Sequence, residues 1–238
     1  MTWNEGVLFG FDTETTGIDV ENDRIVSAAI VIDDGTSERE VYTYLANPGI
    51  EIAIEATAVH GITNEYAQEH GQPAEVVIKD ILTRMQMVRE TYGAIPLVMV
   101  NAPYDLTILD REIRRYNLGD GLQLDSPIID TLACDRMIVD MYRSGRRSLS
   151  AASAAYGIAI RGAHTADGDV ICSIRLARAM AEKYPWFANK SLSQLQTMQR
   201  IMVRQWALHF EEYRQNDGEP DFKTNSEWPY IAYDGSTS

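Results

Sequence analysis

Residues 7–17 read VLFGFDTETTG, an apolar run that passes without a turn into two carboxylates one residue apart. Alternation along a strand sets Val7, Phe9 and Phe11 on one face and Leu8, Gly10, Asp12 and Glu14 on the other. A strand that is apolar on both faces belongs near the middle of a sheet covered on both sides. Both acids then leave the end of that strand in the same direction. Two like charges held together raise each other's pKa unless a cation lies between them. This stretch alone leaves two readings open. One is a hard-cation site made of oxygen ligands; the other is a solvated turn capped by Thr13, Thr15 and Thr16.

The following segments predict the rest of the fold. RIVSAAIVIDDG (24–35) is a second strand closed by Asp34-Gly35, and TSEREVYTYLANP follows as a third, giving an antiparallel meander. A helix around IEATAVHG ends at Gly61, and Thr63 is placed to cap a short helix through His70. Pro73 opens a longer helix. IPLVMV (95–100) predicts a strand leading into a helix with Asp105 in its first turn. SPIID (126–130) predicts another strand leading into TLACDRMIVDMY. A small helix closed by Gly157 and a helix over roughly 167–182 complete an α/β domain with a mixed sheet. The expected organisation is a domain over 1–183 and a helical extension with a tail over 184–238, packed on the domain. In that extension Leu195, Met198, Met202, Trp206 and Phe210 form the expected apolar stripe. The aromatics of EWPYIAY are expected to tack the tail back.

With 238 residues, 45% apolar and 24% charged, the chain has the composition of an ordinary soluble globular protein. No apolar run is long enough to cross a bilayer, and the first residues lack the basic and small-residue pattern of a secretory signal. Cys134 and Cys172 read as reduced core thiols, so a cytoplasmic location and no membrane partner are expected. A net charge of −14 opposes a nucleic-acid partner unless divalent cations supply positive charge at the contact. Arg111, Arg114 and Arg115, and again Arg143, Arg146 and Arg147, form basic clusters that read first as solvated surface.

FDTETTG, VHGIT, VNAPYD and HTADGD, in this order, resemble the successive motifs of the DnaQ-like 3′–5′ exonucleases of the DEDDh group. The resemblance spans roughly residues 6–182 and includes likeness to the proofreading epsilon subunit of bacterial DNA polymerase III. It implies a ribonuclease H-like fold and hydrolysis with two divalent cations, Mg²⁺ or Mn²⁺. It implies Asp12, Glu14, Asp105 and Asp169 as metal ligands, with His164 deprotonating the attacking water. A histidine in a loop, with an ordinary pKa near 6.5, suits that proton transfer.

By the same resemblance Thr15 and Thr16 meet the terminal sugar, His60 and Tyr104 lie near the last bases, and Asn101 is a further substrate-binding residue. Asp167 is expected to cap its helix and Asp130 to support the site. Val100 departs from the family, which often places a histidine there. The implied function is removal of nucleoside 5′-monophosphates from the 3′ end of single-stranded DNA, in proofreading beside a DNA polymerase or in repair. An RNA-trimming exonuclease is the alternative within the class, and a non-catalytic nucleic-acid-binding module the alternative outside it. The motifs read metal and phosphate rather than the 2′-OH, so they leave DNA and RNA open.

Overall fold

In a computed structural model, residues 2–36, 39–139, 148–159 and 165–235 are described. Their elements follow in the order β1 (Leu8–Thr15), β2 (Ile25–Asp33), β3 (Arg39–Asn47), α1 (Ile54–His60), α2 (Asn64–His70), β4 (Gln72–Pro73), α3 (Ala74–Tyr92), β5 (Leu97–Met99), α4 (Ala102–Arg115), β6 (Ile128–Asp130), α5 (Thr131–Ile138), α6 (Leu149–Ala155), α7 (Ala166–Lys183), α8 (Pro185–Ala188) and α9 (Leu192–Asn216). The sheet order is β4-β3-β2-β1-β5-β6. β1 to β3 form the expected antiparallel meander, while β5 runs parallel to β1 and β6 parallel to β5. This is a ribonuclease H-like mixed sheet with β1 inside it, as the two-sided apolar pattern of that strand requires.

The alternation of β1 divides the core. Phe9 and Phe11 pack with Ile78, Ile81, Leu106 and Ile108 of α3 and α4 on one face. Leu8 joins Val98 of β5 and Val170, Ile174 and Ala177 of α7 on the other. Gly10 lies on the α7 face, and a Cβ there would sit 2.5 Å from Val170 Cγ1 and 3.3 Å from Ile174 Cδ1. The missing side chain therefore lets α7 lie directly on β1.

The meander, the Gly61 terminus at φ 77° and the Thr63 cap on Tyr66 N–H follow the sequence pattern. The strands expected over 95–100 and 126–130 are shorter, because only three residues of each pair. Asp167 does not cap α7: the cap is Thr165, whose hydroxyl accepts from Gly168 N–H, and Asp167 sits inside the first turn.

The α9 stripe also differs from expectation. Its buried positions are Leu195, Gln199, Val203 and Ala207, while Met198, Met202, Trp206 and Phe210 keep partial exposure. Gln199 is fully buried because its amide serves the open edge of β6. Its carbonyl accepts from Asp130 N–H at 2.7 Å and its NH₂ donates to Ile128 O at 2.9 Å. Gln196 pairs with Ile128 N–H and C=O beside it. A sheet edge otherwise open to pairing is thus closed by side-chain amides.

The tail returns to α4. Trp228 is buried in the α3–α4 core, Ile231 N–H donates to Thr107 Oγ1, and Tyr233 lies over Arg114. Arg111 is not solvated surface. It is 5% exposed, grips Glu21 with two bonds of 2.7 Å, bonds Asp110 and donates to Ile231 O. Arg114 and Arg115 are paired with Asp110 and Glu112. Arg143, Arg146 and Arg147 lie outside the described residues.

Candidate active site

The site begins where β1 runs out of sheet partners on its parallel side. β5 pairs with Phe9 and Gly10 alone, so Asp12 and Glu14 stand beyond that pairing while β2 still holds them in register. α7 lies against Gly10 through Val170, which brings the preceding residue, Asp169, to the same place. Carboxylate oxygens of Asp12, Glu14 and Asp169 lie within 4.8 Å of one another. A strand end and a helix first turn, both rigid, fix these three acids.

Asp105 comes from the first turn of α4 and is 3% exposed. Its Oδ1 accepts from Thr13 N–H at 3.0 Å and from Thr13 Oγ1 at 2.7 Å, which ties α4 to β1 between Asp12 and Glu14. Asp105 raises the pKa of both those acids, but it stands outside the close trio. α4 starts at Asn101, in the left-handed conformation (φ 56°, ψ 51°) and with no side-chain cap of its own. Asp130 supplies the cap instead. Its carboxylate accepts from Asn101 and Ala102 at the start of α4 and from Leu132 and Ala133 at the start of α5. Its expected supporting place is therefore met by geometry: one buried carboxylate locks two helix starts to the rim of the sheet.

The electrostatics follow from crowding. Burial, then Asp105, Glu14 and Asp169, push the Asp12 carboxyl well above the usual carboxylate range. Burial, then Asp169 and Asp105, push Glu14 up to about 8. Burial pushes Asp105 up to about 7 against the opposing Thr13 hydrogen bonds. Among the described residues the charges acting on Asp12 and Glu14 are carboxylates, and the clustered donor set is oxygen alone. Such a set fits a hard divalent cation, which replaces mutual repulsion with attraction.

Among the residues expected near substrate, Tyr104 is half-buried. Its hydroxyl lies 2.6 Å from both Thr15 Oγ1 and Gly17 O. Thr16 Oγ1 donates to Asp23 at 2.6 Å and accepts from Arg24 N–H. The hydroxyls of Thr15 and Thr16 are thus committed within the protein. His60 Nδ1 accepts from Ile62 N–H, and Nε2 lies 3.3 Å from Thr15 O; burial lowers its pKa against the opposing Thr15 hydrogen bond. Asn101 is exposed at the rim. His164 lies outside the described residues.

Three contributors escaped the sequence reading: Thr13 as the partner of Asp105, Gly10 as the seat of α7, and Gln199 as the partner of Asp130 N–H. Gly10 carried a readable signal, since glycine inside a buried strand marks a close approach. Thr13 and Gln199 carried none in the single sequence.

A mixed sheet with helices on both faces and a carboxylate cluster at the end of its central strand defines a ribonuclease H-like domain of the nuclease type. A family model described as Exonuclease (RNase_T) matches residues 9–177, and the chain belongs to this DnaQ-like exonuclease family. It is 36% identical over 168 residues to a DNA polymerase III subunit epsilon-like protein of Rhodobacter capsulatus, covering 68% of this chain and 22% of that protein. It is 28% identical over 160 residues to a PolC-type DNA polymerase III of Lacticaseibacillus paracasei, covering 67% of this chain and 10% of the polymerase. The chain therefore spans about a fifth or less of the length of these relatives.

Two solved structures share the fold. Exonuclease I from Methylocaldum szegediense aligns at TM-score 0.60 with 21% identity, over 87% of this chain and 46% of that one. E. coli exonuclease I in complex with a dT13 oligonucleotide aligns at 0.58 with 20% identity, over 76% and 42%.

Proposed function

We propose that this chain is a metal-dependent 3′–5′ exonuclease of the DEDDh type that removes nucleoside 5′-monophosphates from single-stranded DNA. The convergence of Asp12, Glu14 and Asp169 carries the reading, with Asp105 beside them and, among the described residues, carboxylates as the charged groups acting on Asp12 and Glu14. Two divalent cations, Mg²⁺ or Mn²⁺, would supply the positive charge that polarises a phosphate and acidifies a bound water. Asp12, Glu14 and Asp169 would hold that charge at the end of β1, and Asp105 would hold it from α4. His164 takes the proton of the attacking water.

Thr15, Thr16, His60, Asn101 and Tyr104 surround the terminal nucleotide. The interlocked hydroxyls of Thr15, Thr16 and Tyr104 keep this wall rigid, so contact with the sugar falls to backbone groups and ring faces. An acidic protein could hold a polyanion here because divalent cations, not lysines, would meet the phosphate. The family relation to polymerase-associated proteins supports work beside a DNA polymerase, and repair is the stand-alone form of the same chemistry. Among the described residues no helix is long and apolar enough to cross a membrane; the cytoplasm is the proposed site of action.

The test is matched single-stranded DNA and RNA, labelled at either end, with Mg²⁺ or Mn²⁺. Laddering of 5′-labelled DNA with release of mononucleotides is expected. Shortening of RNA alone would replace the DNA reading with the RNA one, and cleavage of neither would favour a binding module.

A further inference from the structure

Opposite the margin sealed by α9, the sheet ends on β3. β4 covers only the end of that strand, through Ala46 and Asn47, and among the described residues no strand pairs with Arg39 to Leu45 on that side. Edges left open in this way are ordinarily blunted by proline, lysine or a bulge. Residues 39–45 contain no proline or lysine, and their register with β2 runs unbroken. Val41, midway along the open stretch, is 43% exposed.

The ladder fixes which backbone groups face outward. Phe9 N–H bonds Pro96 O on the β5 side, so Gly10 faces β2, its partner Val31 faces back, and Ile30 faces β3. Tyr42, opposite Ile30, therefore faces β2, and the N–H and C=O of Arg39, Val41 and Thr43 point to the open side. The other end agrees. Pro73 has no N–H, so β4 bonds the outward groups of Leu45 and Asn47. A groove of about 530 Å³ runs beside the edge, between residues 41–44 and Asp80, Arg84 and Met87 of α3. Arg84 lies 3.6 Å from the Tyr42 ring centre, and its buried Nε has no hydrogen-bond partner among the described residues. Glu40 is exposed and accepts from the Tyr42 hydroxyl.

We propose that this edge pairs with the same edge of a second copy of the chain, antiparallel about a twofold axis at Val41. The two Val41 residues then bond each other, and Arg39 and Thr43 exchange bonds across the axis in both directions. Glu40 of each copy falls opposite Tyr42 of the other, beside the Arg84 whose Nε lacks an acceptor. That charge match, made twice by the symmetry, selects a second copy over an unrelated extended peptide. An axis at Thr43 would run the incoming strand into β4, which fixes the register from that side. β1 and β3 are parallel within a copy and antiparallel between copies, so the two carboxylate clusters lie at opposite edges of one joined sheet. The pairing is independent of the exonuclease reading.

Light scattering after gel filtration should give the mass of two chains. Val41→Lys sets two ammonium groups face to face at the axis and should raise the dimer Kd at least about tenfold. Glu40→Arg should weaken the dimer about as much, and Glu40→Arg with Arg84→Glu should return it to within about threefold of wild type. Val41→Cys should cross-link under a mild oxidant, since the paired Cα atoms lie about 5.5 Å apart. Thr43→Cys should not, with its copies about 14 Å apart; Cys134 and Cys172 are buried and do not interfere. A one-chain mass up to about 0.1 mM protein, or a dimer whose Kd ignores both Val41→Lys and Glu40→Arg, would overturn the pairing. Cross-linking through Thr43→Cys but not Val41→Cys would overturn the axis at Val41. A dimer with these responses that cuts neither DNA nor RNA would sink the exonuclease reading and leave the pairing standing.

Discussion

Asp12→Asn separates two effects that the native side chain combines. It removes a ligand from the proposed metal site, so hydrolysis should fall by at least about two orders of magnitude. It also removes a charge that burial and three neighbouring acids oppose. The metal-free variant should therefore melt about 2–4 °C higher than metal-free wild type, the shift that about 1 kcal/mol produces at this size; calorimetry checks it, and a lower Tm would contradict the repulsion. The same crowding gives a pH dependence. Glu14 titrates at about 8 in the fold against an ordinary 4.5, and Asp105 at about 7 against 3.8. A raised carboxylate pKa contributes stability below its ordinary value, and that contribution is lost as pH rises through the folded value. Metal binds the deprotonated form and restores what was lost. The rise in Tm on adding Mg²⁺ or Mn²⁺ should thus be larger at about pH 8.5 than at about pH 6.

Among the elements, α7 and α9 show what a single sequence makes legible and what it hides. The motif acids lie on segments whose starts are punctuated by β1's apolar run, Pro103 and the Thr165 region, so the strand and helix positions of Asp12, Glu14, Asp105 and Asp169 could be read. The contacts that assemble them could not. Hydropathy treats Gln199 as a surface residue and Met198 as core, because it scores a side chain without the strand edge it serves. Gln199→Leu would leave the buried Asp130 N–H without its side-chain acceptor, while Ile128 C=O keeps Gln196. It should cost about 1–3 kcal/mol by denaturant unfolding. Similarly, nothing local marks Thr13 as the residue that turns Asp105 toward β1, since that bond spans 92 positions. Gly10→Val tests the seat of α7: overpacking of this kind costs about 1–3 kcal/mol. It should also weaken the metal-induced rise in Tm, because Asp169 moves away with its helix. A Gly10→Val protein with an unaltered metal response would show that α7 does not set the spacing.

Over the whole molecule the sheet has two dissimilar margins. The β6 side is sealed by α9 and by a tail that crosses back to α4, and the tail's largest anchor is Trp228, 5% exposed. Trp228→Ala should cost about 3–5 kcal/mol and expose the segment after 220 to limited proteolysis before the sheet unfolds. The net charge of −14 sums over a surface that is not uniform, so by itself it does not exclude a polyanionic partner. Arg111 has a mechanical consequence. Its guanidinium grips Glu21, in the loop leading out of Thr15 and Thr16, and also the backbone oxygen of Ile231 in the tail. A pull on the tail is therefore delivered, through one planar group, to the loop that walls the catalytic strand. Anything tethered to the end of this chain would load that loop like a lever, and substrate entry would register the tension.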